Sequence, residues 1–233
     1  MSEPDSSRAN NDDRALRIHD AAARLISHYG YDKTTVSDIA REAGVSKGAI
    51  YLHWKSKEEL FEALLWREIR RYTEELWQRI EADPEGATFS GMMKNSMLAL
   101  NDSPLLKSLY RRDKRVLGSF ARRQENAAYQ MRFTMGTEFL QMMQDAGVIR
   151  ADLDPEVVAY ILSMIRYGFL SIDDVIPPEI APPVEVVFET LGVMIDRALA
   201  PDGGGDIEAG KRILGQMFDI MRQQLEQPMA SGD

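Results

Sequence analysis

From residue 13 onward the apolar positions of the chain recur with a helical period. Ile18, Ala22, Leu25 and Tyr29 fall at i, i+4, i+7 and i+11, one face of a helix, and Gly30 is suited to end it. Two short helical stretches follow, at residues 36–43 and 47–54. A long amphipathic stretch then runs from Lys57 to Ala82 and stops at Asp83-Pro84-Glu85-Gly86. Beyond it the helical pattern continues near residues 88–101, 104–113, 120–146, 155–174, 184–199 and 206–226. Breakers separate these segments: Asn101-Asp102-Ser103-Pro104, Asp145-Ala146-Gly147, Asp152-Leu153-Asp154-Pro155, the proline pairs at 177–178 and 182–183, and Pro201-Asp202-Gly203-Gly204-Gly205. No segment alternates apolar and polar residues as a half-buried strand does, so the expected fold class is all-α. Residues 1–12 are polar and without an apolar period, and read as a disordered arm. Residues 227–233 read as a flexible tail.

The two short helices carry the most local chemistry. Thr35 is placed to cap the first, with Asp38 three residues on, a capping-box spacing. Ile39, Ala40 and Ala43 supply its buried side. Gly44 suits a left-handed C-cap, Val45 plugs the core, and Ser46 caps the second helix. Ile50 and Trp54, at i and i+4, turn inward. Two short helices joined by about three residues including a glycine make a helix-turn-helix. Lys47, Gly48, Ala49, Tyr51 and His53 are then left on the outside of the second helix. Ser56 and Glu59 form a second capping box, for the long helix that starts at Lys57.

The stretch T-T-V-x-D-I-A-x-E-A-G-V-S-K-G-x-I-Y-x-H-W-K-S-K-E-E-L-F, starting at Thr34, resembles the N-terminal motif of the TetR family of transcriptional regulators. The resemblance is specific over about residues 15–62 and is one of architecture elsewhere. It implies a three-helix DNA-binding head at 13–56 and a helical ligand-binding and dimerisation bundle at 57–226. The implied partners are a palindromic operator in double-stranded DNA, a second copy of the chain, and a small-molecule effector that changes the spacing of the two heads. Carried over residue by residue, the resemblance places Thr35, Ser46, Lys47, Gly48, Tyr51, His53 and Lys57 at DNA-contact positions. Trp54 stands where the family commonly has phenylalanine, which implies only a packing adjustment. A helix after Leu199 is extra to the minimal family plan.

Net charge is −9, the wrong sign for a chain that meets DNA with its whole surface. The charge is unevenly divided. Residues 1–57 hold 9 Lys/Arg and 8 Asp/Glu, while residues 58–233 hold 19 and 29, so the acidity belongs to the larger part. There are no cysteines, which excludes disulfides and thiolate metal sites and fits a reducing cytoplasm. The N-terminus is too polar for a signal peptide. No apolar run was expected to reach the roughly 18–20 residues needed to cross a bilayer, because Arg166 interrupts residues 157–172.

No catalytic, metal or cofactor constellation emerges. His19 and His28 are nine positions apart and lie on opposite faces of one helix, and the only other histidine is His53. No G-x-S-x-G or H-E-x-x-H motif is present. Gly205 to Arg212 nearly spells a phosphate loop. However, Arg212 replaces the hydroxyl that would bind magnesium and no strand precedes it, so it reads as a linker into a helix capped by Asp206. The chain is therefore expected not to be an enzyme.

The larger part is rich in methionine and aromatics, which makes a hydrophobic or amphipathic effector the natural expectation. Candidate pocket residues are Met93, Met97, Tyr110, Tyr129 and Phe133, with Phe139, Met164 and Tyr167. Arg132 joins them, on the apolar side of its helix, and Arg166 is a similar charge in an apolar stretch; each reads either as a snorkelling or salt-bridged residue or as a polar anchor for a ligand. For the dimer, the apolar stripe Val158, Ile161 and Ile165 of one helix is expected to meet Val187, Phe188, Leu191 and Ile195 of another in a four-helix arrangement.

Overall fold

The computed structural model describes the backbone of residues 4–123 and 127–226, and within it the side chains of residues 13–120, 134–177 and 179–223. Among the described residues there are eleven α-helices and no strand. They are α1 (Pro4–Tyr29), α2 (Val36–Ala43), α3 (Lys47–Tyr51), α4 (Lys57–Ala82), α5 (Phe89–Asn101), α6 (Pro104–Arg111), α7 (Lys114–Arg123), α8 (Ala127–Asp145), α9 (Pro155–Ser171), α10 (Val184–Leu199) and α11 (Ile207–Glu226). Short 3-10 turns at Ile172–Asp174 and Pro178–Ile180 lie between α9 and α10.

Helix α1 starts inside the stretch expected to be a disordered arm. Pro4 suits a first helical position, and once a helix is nucleated each further residue adds a hydrogen bond without needing an apolar face. Its buried face is Ile18, Ala21, Ala22 and Ile26, with Leu25 at the edge and Tyr29 exposed. The expected stripe thus drifts off the core at its C-terminal end. The tail from residue 227 lies outside the described residues.

The chain divides into two compact units, Met1–Ile69 with Pro104–Glu125, and Arg70–Ser103 with Asn126–Asp233. The boundary expected at residue 57 is displaced because the first half of α4 and all of α6 and α7 pack into the head. Phe61 meets Tyr31 at 5.0 Å and Phe120 edge-on at 4.6 Å, and Leu105 and Leu117 complete the same core. Helix α7 is broken at Gly118 (φ 51, ψ −130). There the Asp32 carboxylate accepts from the Ser119 N–H at 3.0 Å and from its hydroxyl at 2.5 Å. A Cβ on residue 118 would lie 2.4 Å from that carboxylate, so only glycine fits. Of the helix expected over 120–146, the described parts are the end of α7, to Arg123, and α8 from Ala127, with residues 124–126 outside the described residues.

The second unit is built around Phe89, Met93, Met97, Leu140, Met143, Val158, Phe188, Ile195 and Leu214. Trp77 packs on Phe218 of α11, and Phe169 on Phe188, so the extra C-terminal helix is part of this core. Several polar groups of this unit pair with one another or with the backbone. Gln144 donates to the carbonyls of Arg150 and Leu153, Ser90 donates to Asp196, and Asp83 holds Lys94 and Asn95. Asp206 accepts from the Ala209 N–H at 2.9 Å, the helix cap expected in place of a phosphate loop.

This packing corrects the expected dimer stripe. Val158, Phe188 and Ile195 are buried in the core, with Ile165 and Leu191 packed against it and Val187 half-buried. Of the seven expected interface residues only Ile161 is exposed. The most regular apolar stripe of each helix faces its own unit. The outer face of α9 carries Val157, Tyr160, Met164 and Tyr167 instead.

Candidate nucleic-acid interface

The reading head is held by caps at both ends of its turn. Thr35 caps α2. Its hydroxyl accepts from the Asp38 N–H at 3.1 Å, and the Thr35 N–H and hydroxyl both donate to Asp38. These two bonds from Thr35, with Arg41 adding to them, hold the Asp38 carboxyl below its usual range. Gly44, at φ 66, closes α2 in the left-handed conformation, and Val45 donates to the Ala40 carbonyl. Ser46 then caps α3 by accepting from the Ala49 N–H at 3.1 Å. At the next helix Ser56 accepts from the Glu59 N–H, while Glu59 accepts from the Lys55 N–H in place of the Ser56 N–H of the expected box.

Beneath α3 lies a small aromatic stack. Trp54 is buried, 4.8 Å from the His19 ring and 5.2 Å from the His53 ring. Burial first, then the nearby Arg67 guanidinium, push His19 down to about 4, against an opposing pull from Asp20. The His19 ring is therefore neutral at pH 7, and its Nε2 is buried without a hydrogen-bond partner. Arg67 itself ties α4 to α1 through Asp20 and the Leu16 carbonyl.

The DNA-contact positions separate into three groups. Lys47, Gly48 and Tyr51 stand exposed on one arc of α3, with Lys47 Nζ 5.8 Å from the Tyr51 ring centre. Ser46 uses a lone pair for its cap and keeps its hydroxyl proton for an outside acceptor. His53 is half-buried and held by Trp54. Thr35 and Lys57, also expected at DNA-contact positions, make their described hydrogen bonds inside the head. Both Thr35 donors go to Asp38. Lys57 donates to the carbonyls of Tyr31 at 2.8 Å and Thr34 at 3.1 Å, and its Nζ sits 4.1 Å from the Tyr31 ring centre. Burial lowers its pKa, with Asp32 pulling the other way. A long flexible side chain gives no hint in sequence that a loop 23 residues away will claim it.

One exposed residue of this arc escaped the sequence reading. Leu52, 83% exposed, continues α3 with helical backbone angles, its N–H donating to the Gly48 carbonyl at 3.1 Å. Its i+4 spacing from Gly48 is the signal that places it there. Ala49, expected outside, is half-buried.

Six of the nine candidate pocket residues have described side chains. Met93 and Met97 are buried in the core of the second unit and Phe139 borders it. Tyr110 belongs to the first unit. Met164 and Tyr167 are exposed on the outer face of α9. The side chains of Tyr129, Arg132 and Phe133 lie outside the described residues.

A capped helix pair on a three-helix core, with a short second helix presenting lysine, glycine and tyrosine outward, defines a helix-turn-helix protein. Residues 18–64 match the family model described as bacterial regulatory proteins, tetR family. The probable acrEF/envCD operon repressor of Escherichia coli is 30% identical over 157 residues, which cover 62% of this chain and 68% of that protein. The chain belongs to the TetR family. It spans 25% and 34% of the length of two further curated relatives. Solved structures share the fold. The regulator FadR from Bacillus subtilis, in complex with stearoyl-CoA, superposes with a TM-score of 0.57 at 19% identity, covering 77% of this chain and 96% of that one. AibR, in complex with isovaleryl coenzyme A and operator DNA, does so with 0.55 at 22%, covering 78% and 97%.

Proposed function

We propose that the protein is an operator-binding transcriptional repressor, acting in the cytoplasm as a homodimer and released by a hydrophobic or amphipathic small molecule. The observation that carries the DNA reading is the exposed arc of α3, pinned from behind by Ile50 and Trp54 and at its N-terminal end by the Gly44 turn and the Ser46 cap. Charge supports it. The segment 104–125, which packs with the head, holds seven Lys/Arg against two Asp/Glu, so the basic charge gathers in the unit that would meet phosphates. The E. coli relative carries a repressor's name.

Two copies are needed because one short recognition helix reads too few bases. Paired half-sites about 34 Å apart supply the rest. The surface that supports pairing is the outer face of α9 and α10 with the turns between them. Tyr160, Met164, Tyr167, Val175, Ile180, Val193 and Met194 are all more than half exposed there. The span Pro155–Asp174 is long and apolar enough, by composition, to cross a membrane. A dimer face accounts for the same apolar character in a helix whose other side packs on its own core.

The effector is expected to be apolar over most of its length, given the methionine-rich core of α5 and α8. The ligands of FadR and AibR make acyl coenzyme A thioesters the first class to test. Selection from random duplexes should return an inverted repeat. Titration of that duplex with acyl-CoA thioesters of increasing chain length should release the protein, with effector and operator weakening each other by the same factor. Equal effector affinity for free and DNA-bound protein would refute the switch.

A further inference from the structure

We propose that Gly48 and Leu52 form a notch that receives the C5-methyl group of a thymine in each operator half-site, making Leu52 a specificity-determining residue. The assignment rests on the DNA-binding reading above and goes beyond it by naming the base feature recognised.

Leu52 is the starting point. At 83% exposed it is the most exposed large hydrophobic side chain among the described residues, although Ile50 and Trp54 on either side of it are buried. A leucine held in water on an ordered, capped helix gains nothing from its own fold. Gly48 is the second observation and is independent of the first. Its φ is not positive, and a Cβ built on it would meet only Ser46 Oγ, at 3.8 Å. Neither backbone conformation nor packing within the chain asks for glycine there, and glycine is less favourable than alanine inside a helix. The requirement comes from outside, from something that approaches the backbone more closely than a methyl group would allow.

The two positions are one turn apart. Helical side chains lean toward the N-terminus, so Leu52 overlies the bare backbone of Gly48. At 100° per residue Lys47, Tyr51, Gly48 and Leu52 follow one another along an arc of about 140°, with Gly48 between Tyr51 and Leu52. Lys47 and Tyr51 form the polar edge, within reach of each other, and Leu52 the apolar edge. In the major groove thymine alone presents a methyl group, and apolar contact with it distinguishes thymine from cytosine. A residue without a side chain between Tyr51 and Leu52 lets the helix reach the groove floor, where that methyl projects.

The test replaces each thymine of the selected operator by deoxyuridine in turn. This removes the methyl and keeps the base pair. At one position per half-site, wild-type binding should weaken about fourfold, as for one methyl group returned to water. Leu52→Ala should bind the thymine and uracil duplexes equally, and since the side chain is exposed its melting temperature should stay at the wild-type value. Gly48→Ala should raise the melting temperature and yet weaken operator binding, two changes of opposite direction that a purely structural glycine would not give. The assignment is overturned if no thymine shows a methyl effect, if the half-site contains no thymine, if Leu52→Ala keeps the discrimination, or if Gly48→Ala binds as wild type does. A chain that selects no duplex overturns the DNA-binding reading and this assignment together. One that binds its operator but is blind to every methyl overturns the assignment alone.

Discussion

Lys57 makes its described hydrogen bonds inside the head. It ties the Tyr31 and Thr34 carbonyls, and so the α1–α2 loop, to the start of α4. Lys57→Ala is expected to cost about 2 kcal/mol of stability, because two carbonyls lose a charged donor. The slope of operator affinity against salt should be unchanged, whereas loss of a phosphate contact would lower it by about one. A melting curve and a salt titration on the same variant separate the two roles. His19 makes the head sensitive to acid. Its folded-state pKa of about 4 lies below the 6.5 of an unperturbed ring, so below pH 6.5 the unfolded chain takes up a proton that the folded head refuses. The resulting stability is fully present above pH 6.5, declines as pH falls and is lost by about pH 4. Its full size is about 3 kcal/mol. His19→Phe should flatten the pH dependence of melting between 6.5 and 4. An unchanged slope would show that another group titrates there.

At the level of elements, caps and breaks decide where helices end. The Thr35–Asp38 box, Gly44 in the left-handed conformation, and the Ser46 and Ser56 caps were all readable, because each depends on neighbours within four residues. The break in α7 was not. Nothing in Leu117-Gly118-Ser119 announces that Asp32, 87 positions earlier, will hold Ser119 and cap the second half of the helix. Gly118→Ala should destabilise the head by about 1–3 kcal/mol, since a Cβ would combine a positive φ with a collision against that carboxylate. The same substitution at Gly136, where a Cβ meets nothing within 4 Å, is expected to be neutral or stabilising. Denaturant melts of the pair would check both signs.

For the whole molecule, the proposed pairing of two copies assigns the outer face of α9 and α10 to the partner and the inner face to the core. Tyr160→Asp with Met164→Asp, both on the outer face, should shift the protein from dimer to monomer in light scattering while helix content by circular dichroism is kept. Phe188→Ala, on the inner face, should instead cost about 3–5 kcal/mol of folding stability, the usual penalty for removing a buried aromatic ring. If the double aspartate variant remained a dimer, the pairing surface would lie elsewhere.

Sequence alone determined the all-α class, most helix positions, the helix-turn-helix with its caps, and the family. All of these depend on periodicity and on residues a few positions apart, where chain connectivity already brings the partners together. Only the tertiary structure decided which stripe of α9 and α10 turns inward, that α6 and α7 join the head, and that Thr35 and Lys57 make their described hydrogen bonds inside it. It also left Leu52 in water. An apolar stripe has the same pattern whether it meets its own core or a second chain, and a flexible donor has the same identity whether it meets a carbonyl or a phosphate. Contacts between residues tens of positions apart settle such choices, and a one-dimensional pattern carries no record of them.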